Sequence, residues 1–347
     1  MFWLLHLHSK RLIEIYKNGN EMISENGEKS SSTRGIPSLL LNKISGLLKE
    51  FNHLIYGPKA AELLSIPPRD LLPIKYMLIS SGVGHTLVEG YKNHLNQERG
   101  DEETGWLLMG YREKKHAVVV AAVPSGEFRE ASSTHVKFNS QAQVVAGRLL
   151  RQLHDKLEVL GLFHTHPGRL RHPSSGDYQG DIQWVKKLPA KQGVFGIGTV
   201  DHDSPSRGDF ASKIAINTFS MNGMRFDWFS LASGDSNYVK VPIRWTLGED
   251  LAKPLHVVWD AMEVHASEIE KVLAQQTKAS CAITKSSSGH QLTLSIPLAG
   301  SAGKILVFIF KDKVQYFFEK NEQLFAVDIQ EDKVDRGVYL VLAELAK

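Results

Sequence analysis

The chain has a single cysteine, Cys281, in 347 residues. One thiol excludes an internal disulfide, a Cys-based zinc finger and a dithiol redox motif. It fits a reducing, cytoplasmic setting. Any metal site must therefore be built from histidines and carboxylates. Nowhere does an uncharged apolar run reach the roughly 18 residues of a membrane span, so no span is expected. The opening run Phe2-Trp3-Leu4-Leu5-His6-Leu7 is too short for a signal segment and has no basic stretch before it. It reads as the first turn of a helix continuing through Tyr16. A membrane-surface anchor is the weaker reading, because the run lacks a basic amphipathic face. Charge of one sign is also lacking: 41 basic and 38 acidic residues leave a net +3. With no dense basic tract, a nucleic-acid surface is not expected.

What is present is ordinary globular composition, 42% hydrophobic and 23% charged, together with fifteen histidines. Imidazole is a common metal ligand, so that last count directs attention to metal chemistry. The length suggests two domains, or one with sizeable additions. Residues 1–72 read as an N-terminal helical region with a polar linker at 18–34. Within it, apolar residues recur at helical spacing from Leu40 to Ile55, and Gly57-Pro58 breaks the pattern into two helices. Residues 73–242 alternate strands with helices. Strands are predicted at 76–80, 107–111, 116–123, 159–163, 193–200, 213–217 and 225–231, and helices at 86–96, 141–157 and within 175–187. That alternation argues for an α/β or α+β domain built round a mixed sheet. Residues 243–347 change character: a helix at 257–275, five strand-like stretches between 282 and 329, and a closing helix at 337–346. They read as a separate α+β module of about 100 residues.

Chemistry concentrates in Gly161-Leu162-Phe163-His164-Thr165-His166-Pro167 and the loop that follows. Two histidines one residue apart at a strand end place both imidazoles on one side of the chain. Pro167 stops the strand, and the chain returns with Asp177 as a helical segment begins. Two neutral imidazoles and a carboxylate make a three-ligand zinc site with a fourth position for water. Such a site lowers the pKa of that water and polarises a carbonyl. Ser174, three residues before Asp177, is placed to hydrogen-bond a developing oxyanion. A base must come from another element, and Glu103, just before the strand at 107–111, fits; Glu102 is its rival. Ser175 is the rival of Ser174, and a helix N-cap is the plain alternative, suiting Ser175 best.

His164-x-His166, seven residues, Ser174, two residues and Asp177 match the motif of the JAMM (MPN-plus, JAB) metalloproteases. Glu103-Thr104-Gly105-Trp106-Leu107-Leu108-Met109-Gly110 resembles that family's glutamate-bearing segment. The resemblance covers about Met77 to Leu231 and is closer to prokaryotic members than to proteasome-lid subunits. It implies a cytidine-deaminase-like mixed-sheet domain and one Zn2+ per chain, held by His164, His166 and Asp177 with a catalytic water. Glu103 would be the general acid/base and Ser174 the oxyanion stabiliser. The implied reaction is hydrolysis of an isopeptide or peptide bond at the C-terminus of ubiquitin or a ubiquitin-like protein, in deconjugation or precursor processing. Activating and conjugating enzymes become candidate partners, and antiviral defence one setting for the pathway. Processing of a sulfur-carrier protein, a peptidoglycan peptidase and a non-catalytic MPN scaffold are the alternatives. Trp106 departs from the family, where a small residue is common, and bears on substrate access.

A few other residues read as structural. His172 reads as a loop histidine near the site, with a substrate-facing role the weaker reading, and His202-Asp203 has no partner at suitable spacing. Asp181, one helical turn past Asp177, is expected to be a plain surface carboxylate, with support of the metal ligands the weaker reading. Cys281 is expected to be a buried small hydrophobe. Gly193, Gly196 and Gly198 do not form a dinucleotide fingerprint and suit close packing beside the site. The segment Ser125 to Asn139 is a candidate wall for an extended substrate tail.

Overall fold

The computed structural model describes residues 71–138, 140–201, 211–286, 289–299 and 303–346. All of these fall within one compact unit, Ser65–Lys347. The helices and linker expected before residue 71, and His202-Asp203, lie outside the described residues.

Strand β1 (Tyr76–Ser80) leads into helix α1 (Ser81–Leu95). The Ser80 hydroxyl accepts a hydrogen bond from Val83 N and caps the helix, satisfying one of the orphan N–H groups of its first turn. The helix therefore starts five residues before the predicted Thr86; Gly82 and Gly84 hide its first turns from a pattern reading. Next come β2 (Gly105–Arg112), β3 (His116–Pro124), the short hairpin β4 (Glu130–Ser132) and β5 (His135–Lys137), and helix α2 (Ser140–Leu153). Then β6 (Glu158–Thr165), α3 (Ser175–Val185), β7 (Gln192–Val200), β8 (Ser212–Ala215), β9 (Thr218–Met221), β10 (Met224–Ala232), β11 (Val239–Lys240) and β12 (Ile243–Thr246) follow. Helix α2 stops short of the predicted Leu157.

These strands, the β4–β5 hairpin excepted, form one ten-stranded mixed sheet in the order β12-β1-β3-β2-β6-β7-β10-β9-β8, with β11 beside β10. The β1–β12, β1–β3 and β6–β7 pairs are parallel and the others antiparallel. Strand β12 begins at Ile243, the first residue of the predicted C-terminal module, and belongs to this sheet. The domain is thus a mixed α+β fold.

The sheet is buried on both faces, which is why β2 reads as an almost unbroken apolar run. Trp106 and Leu108 face a core shared with α1, while Leu107 and Met109 face a second core with α2. That second core continues into the rest of the chain. Helices α4 (Lys253–His256) and α5 (Trp259–Gln275) lead to a five-stranded antiparallel sheet. Its strands are β13 (Ser280–Ser286), β14 (Gly289–Pro297), β15 (Lys304–Ile309), β16 (Val314–Lys320) and β17 (Gln323–Val327), and α6 (Val334–Leu345) closes the fold. Met109, Val145, Met262, Leu294, Val307 and Val338 all belong to one buried cluster. Cys281 lies in that cluster, fully buried, and burial pushes its thiol up to about 12.

Gly161 sets how closely β6 and β7 approach. It pairs with Leu108 on one side and Val194 on the other, and a Cβ there would lie 1.6 Å from the Val194 carbonyl oxygen. Gly161→Ala should therefore push apart the strands that carry the site and destabilise the fold by about 1–3 kcal/mol or more. Urea unfolding reads this as a lower midpoint at unchanged slope; an unchanged midpoint would contradict the packing described.

Candidate metal centre

The site is assembled where β2 begins and β6 ends. Antiparallel register puts Gly105 opposite His164. Just beyond, Thr165 N donates to Thr104 O at 2.8 Å, and Thr104 N donates to Thr165 Oγ1 at 3.0 Å. The residue between the two histidines thereby fastens its strand to the residue after Glu103. On the other side His166 N donates to Gly198 O at 2.8 Å, continuing the parallel pairing past the end of the strand. Gly196 and Gly198 leave room there for the Phe163 ring.

Three donors converge. His164 Nε2 and His166 Nε2 are 3.1 Å apart. Asp177 Oδ1 is 3.4 Å from His164 Nε2, and Asp177 Oδ2 is 3.5 Å from His166 Nε2. A tetrahedral ion with bonds of about 2.0–2.1 Å has ligand-to-ligand edges of about 3.3 Å. The three residues thus fit a zinc ion in donor type and in spacing. The His166 Nδ1–H donates to Leu170 O at 2.8 Å, which fixes the tautomer and leaves Nε2 with its lone pair toward the centre. Tyr91 on α1 donates to the His166 carbonyl at 3.3 Å. Among the described residues this is the one cluster with three potential ligands.

Asp177 is held by its own helix. Ser174 is the N-cap of α3: its hydroxyl accepts from Asp177 N at 3.2 Å, and its own N–H donates to Asp177 Oδ2 at 2.5 Å. The cap predicted at Ser175 is one residue off, because Ser174 is the last residue with extended backbone. Capping does not use up the Ser174 hydroxyl. It accepts one bond and keeps its proton to donate. Burial alone would push the Asp177 carboxyl up, but the neighbouring His164 and His166 imidazoles, with help from Ser174 N–H, hold it well below the usual carboxylate range.

Glu103 faces this cluster, with Oε1 3.9 Å from His166 Nε2. It is 3% exposed, and burial pushes its carboxyl up to about 7 against the opposing charge of His166. Its Oε2 has no hydrogen-bond partner among the described residues. The backbone around it is tied down: Glu103 N donates to Ser132 O at 2.7 Å, and Arg129 Nε donates to Glu103 O at 3.3 Å. Glu102, its sequence rival, turns away and pairs with Arg99 at 2.6 Å.

Sequence reasoning missed Thr165, Thr104, Tyr91, Arg129 and the Leu170 carbonyl. Each acts through a contact that joins distant parts of the chain or through a main-chain atom, and no local pattern encodes either. One expectation is corrected. Asp181 is not a surface carboxylate: it is 8% exposed, accepts from the Tyr238 hydroxyl at 2.8 Å, and is pushed up to about 7 by burial. Trp106 packs into the core at 5% exposure, its ring centroid 5.7 Å from that of Phe163. His172 is exposed, as a loop histidine would be.

The family model for prokaryotic homologs of the JAB domain matches residues 90–213. The chain carries a JAB-family domain. Its match spans Glu103, both histidines, Ser174 and Asp177. Many solved structures resemble the chain, among them two at 15% identity. One is a protein from Desulfitobacterium hafniense, solved in solution, at 15% identity and TM-score 0.34, covering 50% of this chain and 94% of that one. The other is a JAB1/MPN domain protein from Archaeoglobus fulgidus, at 15% identity and TM-score 0.25, covering 49% and 98%. No curated protein matches the chain in sequence. Among the described residues no helix of this JAB-domain protein is long and apolar enough to cross a membrane.

Purified without chelator, the protein should hold one zinc ion per chain by elemental analysis, and His164→Ala should lose it. Because an ion bound to the native state alone stabilises that state, chelation should lower the thermal midpoint of the parent and leave the variant unmoved. Equal, sub-stoichiometric zinc in both proteins would count against the centre.

Proposed function

We propose that the protein is a zinc-dependent metallopeptidase that hydrolyses isopeptide or peptide bonds at the C-terminus of ubiquitin or a ubiquitin-like protein. The observation that carries this reading is Glu103: a buried carboxyl raised to about 7, one oxygen unpartnered, set beside a three-donor metal site. When bound, zinc lowers the pKa of a coordinated water and polarises a carbonyl oxygen. Glu103 takes the proton from the attacking water and delivers it to the leaving amine, a task suited to a pKa near the working pH. The free proton of the Ser174 hydroxyl points a hydrogen bond at the oxyanion as it develops. The β4–β5 hairpin is joined to Glu103 through Ser132, and an extended substrate tail would lie along it by strand addition.

The presence of every donor favours a hydrolase over a scaffold, for which none of them would be needed. A ubiquitin-like substrate comes from the family resemblance, and activating and conjugating enzymes of the same pathway are the partners it suggests. The cytoplasm suits a chain whose lone thiol is buried.

Glu103→Gln should keep zinc yet lower the cleavage rate of a ubiquitin-like fusion by about 10²–10⁴-fold, the usual scale of general acid–base catalysis. Cleavage at the parental rate would remove Glu103 from the mechanism. The pH dependence has a definite sign. Glu103 must be ionised to accept a proton, and its pKa is raised, so kcat/KM should climb with pH through about 7. In Glu103→Gln this limb should disappear; a limb that persists there belongs to another group.

A further inference from the structure

Glu103 is aimed without help from its own carboxyl group. Its Oε2 has no hydrogen-bond partner among the described residues, and its Oε1 stands 3.9 Å from His166 Nε2, beyond hydrogen-bonding distance. The direction of the side chain must therefore come from the main chain. There every polar group from Glu102 to Thr104 is engaged. Glu102 N donates to Arg99 O at 3.1 Å, and Glu102 O lies 2.9 Å from His94 Nε2. Glu103 N reaches Ser132 O, and Glu103 O receives Arg129 Nε. Thr104 closes the set with its two bonds to Thr165.

Two of these partners are buried side chains that also meet each other. His94, 5% exposed, lies near the end of α1, and Arg129, 6% exposed, directly precedes β4. Arg129 Nη2 is 3.4 Å from His94 Nδ1. Arg129 Nη1 donates to Gly126 O at 2.9 Å and lies 3.9 Å from the exposed Glu127 carboxylate. All three guanidinium nitrogens are thus in use.

The partners fix the state of the imidazole. A carbonyl oxygen only accepts, and a guanidinium only donates. Nε2 of His94 must then carry the proton and Nδ1 the lone pair, so the ring is neutral. Burial lowers its pKa, and the charges of Arg129 and Arg99 act in the same direction, against the Glu102 carbonyl and Glu127. A second proton would face the guanidinium at Nδ1 and break the pair. Tyr91, one turn earlier on the same helix face, donates to the His166 carbonyl. Helix α1 therefore grips both the strand end that carries the histidines and the segment that carries Glu103.

We propose that His94 and Arg129 are positioning residues for Glu103, the neutral imidazole holding the guanidinium and the Glu102 carbonyl, and the guanidinium holding the Glu103 carbonyl. What this does for the reaction rests on the hydrolytic reading above; the holding itself does not. Misplacing a reacting group by about 1 Å costs up to about 10²-fold in rate, so the effect belongs in kcat and not in KM.

The test compares His94→Gln with His94→Leu in the full, zinc-loaded chain. A glutamine amide keeps one acceptor and one donor; leucine keeps neither. In His94→Leu, kcat for cleavage of a ubiquitin-like fusion should fall by about tenfold or more, at a KM within about twofold of the parent. His94→Gln should restore most of it. Hydrogen exchange read by mass spectrometry gives an answer that needs no turnover. Amides of residues 102–104 should exchange faster in His94→Leu than in the parent or His94→Gln, while those of 158–165 hold. Arg129→Lys takes the place of His94→Leu if that variant does not fold, because a point-like ammonium cannot reproduce the fork of donors; it should show the same faster exchange and lower kcat. Unchanged exchange around Glu103, an unchanged kcat beside faster exchange, or a His94→Gln no better than His94→Leu at equal zinc content would overturn the proposal. If the parent cleaves nothing, the hydrolytic reading fails, and exchange alone decides whether the pair holds the segment.

Discussion

The centre depends on the pairing of β2 with β6 at the point where one begins and the other ends. Gly105 opposite His164 fixes the register, and the hydrogen bonds between Thr104 and Thr165 lock it one residue further on. Register in a sheet is all or nothing, since a slip by one residue turns every side chain to the opposite face. A slipped β2 would take Glu103 away from His166 and turn Trp106 out of its core. The short Thr165, between the two imidazoles, is thus as much part of the site as its neighbours.

Electrostatics around the centre divide two carboxylates into opposite roles. Glu103 and Asp177 are both largely removed from water, and burial pushes both upward. Asp177 receives enough from two imidazoles and a backbone N–H to overcome that push and stay ionised. Glu103 has one imidazole at 3.9 Å and no hydrogen bond to one of its oxygens, so burial wins. The result is one carboxylate held ionised beside another that burial pushes up to about 7. Environments that drive two titratable groups apart in this way are how one site holds both a fixed charge and a mobile proton.

The C-terminal sheet is continuous in packing with the JAB domain. Helix α5 lies in the same buried cluster as α2 and the inner face of β13–β16, and Glu263 on α5 accepts from Glu127 N and Phe128 N in the turn after β3. That turn leads to Arg129, which donates to the Glu103 carbonyl. A path of direct contacts therefore runs from the C-terminal helix layer to the residue facing the candidate metal donors.

Much of this was legible in the sequence. Strand and helix positions in the JAB domain follow from apolar periodicity, and their main errors lie at helix ends, where caps and glycines outweigh periodicity. The candidate metal donors could be singled out because their spacing is local: His164 and His166 share one strand end, and Asp177 follows within one helix turn of Ser174. The choice of Glu103 over Glu102 was left to spacing and needed the fold, because only tertiary packing turns one toward His166 and the other toward Arg99. The same holds for the burial of Asp181 and Trp106 and for the tautomer of His166. By itself the sequence determined which residues could bind a metal, since donor chemistry and short spacings are written along the chain. The tertiary structure decided which carboxyl meets them and how far it is shut off from water, since those depend on contacts between residues tens of positions apart.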